Sequence, residues 1–213
     1  MKIIFPLIIT VILITGISFI PNKSAPVRTK SGLSVKRDGR PDLLAKNEEK
    51  LRTIAASAKE FVRLKKYNSD FCFLIDMSLA SGQPRFIIYD LAKDSIRQSG
   101  LVAHGNCYQA WLEGRKYSNK AGSGCTSLGR YRIGNPYTGM WGYSYKLHGL
   151  DSSNNNAFER TVVLHGHSCV PDAAVEEEIC QSNGCPTVSP AFLGKLKSLI
   201  NVSRQSVLLW IYE

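Results

Sequence analysis

The sequence predicts a mainly β fold, a β-rich sandwich or barrel with an N-terminal helix and a short second helix near the C-terminus. Three observations predict it. Short apolar runs with a two-residue alternation recur from Phe71 to the end of the chain. Turn signals separate them, among them Ser81-Gly82-Gln83-Pro84 and Asn135-Pro136-Tyr137-Thr138-Gly139. Helical periodicity is confined to two stretches. With 213 residues and 44% apolar content, the chain has room for one globular domain plus extensions.

The elements follow in order. Lys2 precedes an uncharged apolar stretch, Ile3 to Ile20, so residues 1–20 read as a secretory signal or an N-terminal membrane anchor. No good small-x-small cleavage site follows Ile20, and the two readings stay open. Residues 21–41 form a basic, Pro/Gly/Ser-containing linker without an apolar period. Residues 42–67 form a helix, with Asp42 as N-cap. Leu44, Leu51, Ile54, Ala55, Ala58, Phe61 and Val62 share the face that packs on the domain.

The domain itself runs over 68–213. Residues 71–78 and 85–91 form a hairpin, and 94–104 supply a third strand. Residues 130–133 and 140–147 flank the turn at 135–139, and residues 160–165 form a further strand. Ser189-Pro190 opens a helix to about Ile200, with serine at the cap and proline in the first turn. Gln205 to Tyr212 closes the chain as a buried strand.

Charge excludes one class of partner. Residues 1–41 hold seven Lys/Arg against one Asp, a net of +6, whereas residues 42–213 hold twenty against sixteen, a net of +4. The basicity belongs to the N-terminal segment, and no nucleic-acid motif occurs, so no nucleic-acid face is expected on the domain.

The chemistry concentrates between Arg160 and Pro190. The apolar run Val162-Val163-Leu164 delivers His165 onto Gly166, and Ser182-Asn183-Gly184-Cys185 makes a second tight turn. A histidine and a cysteine at two backbone-permissive positions suggest a thiolate nucleophile with its base. Amides at Gly184 and Cys185, with Ser182 in the same turn, are candidates for holding an oxyanion. A bridged loop cysteine and a buried histidine would give the same pattern. His167 lies on the same strand face as His165. The His-before-Cys order is the reverse of papain-like proteases.

The wording VVLHG…SNGCPTVS resembles the murein L,D-transpeptidase catalytic domain family, the YkuD-like cysteine enzymes, in the branch whose motif ends in GCP. LVAHGNC, SNKAGSGCTSLGRYRIG and GLDSSNNNAFER extend the resemblance over roughly residues 71–199. Common members of the wider family carry Ser-His-Gly-Cys and a polar Arg or Asn two residues past the cysteine, where this chain has Asn183 and Thr187.

The resemblance implies a β-rich fold, Cys185 as nucleophile and His165 as base. It implies peptidoglycan stem peptides as partners, no cofactor, and an exported protein of the cell envelope. The basic residues after Ile20 run against export on the positive-inside rule. His167, His104, Asn106, Asn156, Arg160 and Asn183 are the candidate substrate contacts. The implied reaction cleaves the bond before the terminal D-alanine of a tetrapeptide stem and forms a 3→3 cross-link. Water as acceptor would make an L,D-carboxypeptidase. Another wall cysteine peptidase and a non-catalytic wall-binding module are the other readings.

Six cysteines in an exported chain invite disulfides. With Cys185 as nucleophile five remain, so at most two bridges form and one cysteine stays unbridged. Cys169–Cys180 is the expected pair and Cys107–Cys125 the second, although spacing alone does not fix connectivity. No CxxC or HxxxH spacing occurs, so no metal site is expected.

Overall fold

The computed structural model describes residues 40–213. The expected signal or anchor at residues 1–20 lies outside them. So does the linker at 21–41, apart from Arg40 and Pro41, which begin the first helix. Among the described residues no helix is long and apolar enough to cross a membrane.

Two helices and eight strands follow in the order α1 (Arg40–Lys65), β1 (Phe71–Asp76), β2 (Phe86–Asp90), β3 (Ser95–Gly100), β4 (Gly129–Gly139), β5 (Gly142–Gly149), β6 (Val163–Gly166), β7 (Thr187–Val188), α2 (Pro190–Val202) and β8 (Leu208–Tyr212). All strands join one mixed sheet of order β3-β2-β1-β8-β4-β5-β6-β7. The fold is mainly β, as the alternating runs predict, in the form of a single continuous sheet.

The sheet is buried on both faces at its centre, and the two-residue period sorts the side chains. Phe71, Phe73 and Ile75 of β1 and Leu209 and Ile211 of β8 point to the larger core, which α2 covers with Phe192, Leu193 and Leu196. Cys72 and Leu74, with Leu208 and Tyr212, point to the other face and meet Ala55, Ala58 and Val62 of α1. A strand covered on both sides reads as an unbroken apolar run, which is why FCFLID shows weaker alternation than an exposed strand.

Three expectations need correction. Helix α1 starts at Arg40, which places Asp42 inside it and not at its cap. Leu44 is 64% exposed and takes no part in the core that α1 covers. The turn expected at 135–139 is strand: a register shift between Ile133 and Pro136 accommodates the proline, β4 runs to Gly139, and the hairpin turns at Met140-Trp141.

Packing of α1 on the sheet is testable by unfolding. Ala58 is fully buried against the β1–β8 face, so Ala58→Leu should cost about 1–3 kcal/mol through overpacking. Leu44→Ala should stay within about 0.5 kcal/mol of the parent. Urea denaturation of both variants checks this, and equal losses would contradict the placement of α1.

Candidate active site

The site forms at the β6–β7 end of the sheet. Strand β6 pairs antiparallel with β5, where Ser144 faces His165, and parallel with β7, where His165 faces Thr187. Val162 and Leu164 enter the core, so the two-residue period turns Val163 and His165 to the opposite face. Residues 103–106 run beside β7 as a further edge. The Ala103 N–H donates to the Thr187 carbonyl at 2.8 Å, the Ser182 N–H donates to the His104 carbonyl at 2.8 Å, and the Asn106 N–H donates to the Ser182 carbonyl at 2.7 Å. Ser182 and Thr187 are thereby pinned on both sides of Cys185.

The turn between those pins closes on itself. The Gly184 N–H donates to Ser182 Oγ at 3.2 Å, and Ser182 Oγ–H donates to the Cys185 carbonyl at 2.7 Å. The Gly184 amide is therefore already engaged, which argues against its expected availability to an oxyanion. Gly184 has φ +107°, and a Cβ there would approach the Cys125 carbonyl oxygen to 2.8 Å, so only glycine fits. The Cys185 thiol is clasped by backbone: the Val163 N–H donates to Sγ at 3.5 Å, and Sγ lies 3.9 Å from the Thr161 carbonyl oxygen. Thr161 holds φ +55°, a costly conformation for a β-branched residue, and that conformation belongs to the segment facing the sulfur.

His165 is 4% exposed. Its Nδ1 lies 3.2 Å from the Gly166 carbonyl oxygen and its Nε2 lies 2.9 Å from Thr187 Oγ1. Trp141, at the tip of the β4–β5 hairpin, stacks on the imidazole with centroids 5.3 Å apart and meets His167 edge-on at 6.0 Å. Cys185, His165 and Thr187 line one cavity of about 340 Å³ together with Trp141, Met140, Tyr108 and Gln181.

The structure divides the expected contacts. His167, Arg160, Asn183 and Ser182 line the cavity with Cys185 and His165. Arg160 is committed to the surrounding loop: its guanidinium donates to the carbonyls of Ser118 (2.8 Å) and Cys125 (2.6 Å) and to Ser127 Oγ and Ser123 Oγ. His104 is not a cavity residue. It is 2% exposed, and its Nδ1 faces the Arg85 guanidinium at 3.1 Å. Burial, with Arg85 and Arg115 nearby, pushes its pKa down to about 4. Asn106 caps its own turn through the Tyr108 N–H, and Asn156 bonds Asn119; neither lines the cavity. Trp141, Met140, Tyr108 and Gln181 were absent from the sequence-based set.

Cysteine pairing is Cys107–Cys125 and Cys169–Cys180, with Cys72 buried and unbridged and Cys185 unbridged in the cavity. Among the described residues no cluster of metal-ligating side chains occurs.

A sequence model of the L,D-transpeptidase catalytic domain matches residues 45–212. The chain belongs to the L,D-transpeptidase catalytic-domain family. Members of this family are cysteine-based transpeptidases and peptidases acting on peptidoglycan in the cell envelope. No curated protein sequence matches the chain. Similar solved structures include an L,D-transpeptidase from Xylanimonas cellulosilytica (17% identity, 67% of this chain and 60% of that one, TM-score 0.37). The helical cell shape determining protein Pgp2 from Campylobacter jejuni is another (14% identity, 67% and 47%, TM-score 0.43). A third is L,D-transpeptidase 3 from Mycobacterium tuberculosis, solved with a faropenem-derived adduct (13% identity, 68% and 60%, TM-score 0.38). The chain spans 47–60% of the length of these three.

Within this L,D-transpeptidase domain, electrostatics corrects one expectation. The sequence suggests a thiolate nucleophile, which needs a thiol pKa below the free cysteine value of roughly 8.5. Burial instead pushes the Cys185 thiol up, and the Val163 N–H and the Arg160 charge only partly oppose it. Burial likewise pushes His165 down, opposed by its bond to Gly166 and reinforced by His167. Both shifts favour the uncharged forms, a neutral thiol and a neutral imidazole. Among the described residues no hydrogen bond joins that imidazole to Sγ.

The cavity wall between the base and the thiol is a loop, residues 167–182, held by Cys169–Cys180 and by Glu178. Burial alone would raise the Glu178 carboxyl, but hydrogen bonds from Ser81 and Arg115 outweigh it and hold the group at about 2. The folded pKa is depressed, so the stabilisation is present above the ordinary carboxylate value near 4.5 and is lost as pH falls toward 2. The thermal midpoint should drop over that window, and Glu178→Gln should flatten the drop; calorimetry at several pH values checks both.

Proposed function

We propose that this protein is a peptidoglycan L,D-transpeptidase of the cell envelope, with Cys185 as nucleophile and His165 as general base and acid. The observation that carries the reading is the convergence of Cys185 Sγ and the His165 imidazole on one cavity at the β6–β7 edge. Two independent strand registers bring together residues twenty apart in sequence.

The chemistry follows from the neutral pair. Neutral His165 takes the thiol proton as Sγ attacks the carbonyl carbon of the third stem residue. The tetrahedral intermediate collapses, the amide C–N bond breaks, and the amine of D-alanine leaves with the proton from the imidazolium. An enzyme thioester remains. A side-chain amine of a second stem attacks it, gives its proton to His165, and releases the 3→3 cross-linked product with the thiol restored. His167 and Asn183 are the cavity-lining groups offered to the stem, Arg160 serves by holding the loop, and none of the three is needed for a proton. Export of the domain, by a cleaved signal or with residues 3–20 as an anchor, belongs to the same proposal.

Incubation of the full chain with purified tetrapeptide stems, read by mass spectrometry, tests it. D-alanine release with a cross-linked dimer is expected, and both should vanish in Cys185→Ala. Tripeptide as the sole product would move the reading to an L,D-carboxypeptidase, and no turnover would overturn it.

The base has a separate test in the pH dependence. His165 must be neutral to accept the thiol proton, and its pKa lies below the ordinary 6.5, so single-turnover acylation should rise with pH below that value and then level off. His165→Ala should lose about 10²–10⁴ at neutral pH. The loss should shrink as pH climbs toward the raised ionisation of Cys185. His167→Ala should keep most of the rate; the reverse outcome would make His167 the base.

A further inference from the structure

We infer that Thr187 is a positioning residue for this acyl transfer: in the His165 tautomer that the Gly166 carbonyl sets, its hydroxyl caps Nε2 and gates the lone pair that receives the Cys185 proton. The inference rests on the reading of His165 as the base. Its own content is the role of a side chain two residues past the nucleophile.

Hydrogen counting leads there. The Gly166 carbonyl can only accept, so the 3.2 Å contact puts the proton of the neutral ring on Nδ1. Nε2 then carries the lone pair. Thr187 Oγ1 stands 2.9 Å from it and must donate its single hydrogen. The same oxygen lies 3.3 Å from the carbonyl of Cys185, a second acceptor for that hydrogen. One rotation about the Cβ–Oγ1 bond moves the hydrogen from Nε2 to the Cys185 carbonyl and uncovers the lone pair. Thr187 is 3% exposed and His165 is 4% exposed, so bulk water is poorly placed to substitute for either bond. The Thr187 backbone is fixed by the register with His165 and by the Ala103 N–H.

The exchange serves the charged state as well. Once Nε2 has taken the thiol proton, its N–H donates to Thr187 Oγ1, whose own hydrogen already points to the Cys185 carbonyl. That carbonyl receives its other hydrogen bond from Ser182 Oγ. Charge-assisted bonds of this kind are roughly twice as strong as neutral ones. The hydroxyl therefore favours the imidazolium over the neutral ring. When the leaving amine takes the proton, the hydroxyl turns back to Nε2. The other titratable or charged groups around the imidazole are Cys185, His167, Tyr108 and Arg160. None of them is bonded to Nε2: His167 Nδ1 accepts the Cys169 N–H, and Arg160 is bound to its loop.

The test combines a tautomer measurement with an isosteric variant. Nitrogen-15 spectra of the imidazoles of the unmodified full chain should show His165 protonated at Nδ1, with Nε2 as a hydrogen-bond acceptor. An Nε2–H tautomer overturns the proposal without any variant. Thr187→Val keeps the β-branched shape and removes the hydroxyl. It should lower the His165 pKa and reduce the plateau rate of D-alanine release from a tetrapeptide stem by about tenfold, the size of one lost hydrogen bond. Thr187→Ser should restore both. A slower Thr187→Val with an unchanged His165 titration would mean a packing role only, and an unchanged rate would mean no role; either result overturns the proposal. If the unmodified protein releases no D-alanine, the transpeptidase reading fails, while the spectra still decide the tautomer.

Discussion

The pinning of Ser182 and Thr187 by residues 103–106 is the constraint on which the rest of the site depends. Three backbone hydrogen bonds hold a turn of four residues between two fixed points. The turn can then store a positive φ at Gly184 and present the sulfur outward, because neither end is able to relax. Beneath that segment lies Arg85, a fully buried cation whose Nε and Nη2 donate to the Val102 carbonyl and whose Nη1 donates to the Leu79 carbonyl. Burial lowers its pKa to about 10, so it remains charged at neutral pH. A buried guanidinium satisfied by carbonyls is a rigid support, since removing any one partner would leave a costly orphan.

The same rigidity shapes the electrostatics. Cys185 is held by an amide and faces a carbonyl, and Arg160, whose charge acts on the thiol, is spent on the loop carbonyls of Ser118 and Cys125. Desolvation then decides both pKa directions, raising the thiol and lowering the imidazole. A neutral pair suits a nucleophile that ionises only in contact with substrate, with Trp141 covering one face of the base.

Much of this was legible in the sequence because it is local. The two-residue period marked β1, β2 and β8, and Ser189-Pro190 marked α2, whose N-cap Ser189 Oγ accepts the Phe192 N–H. The turn glycine pointed to Cys185, and the pairs Cys169–Cys180 and Cys107–Cys125 were the first and second expectations, although spacing left connectivity open. What failed was non-local. Nothing beside His104 in sequence announces Arg85, nineteen residues earlier, which takes the histidine away from the cavity. Asn156 is drawn off by Asn119 in the same way. The hairpin tip was misplaced because Pro136 reads as a turn residue, whereas a register shift lets it sit in β4 and sends Trp141 to the site.

The account turns on the resting state of Cys185, and the pH dependence of its alkylation measures that state most directly. Iodoacetamide labelling of the native full chain, with the modified peptide quantified by mass spectrometry, separates Cys185 from buried Cys72. The account predicts a rate that is low at neutral pH and keeps rising past pH 9, above the ordinary thiol ionisation. A rate already at its plateau near pH 7 would reveal a preformed thiolate and contradict it.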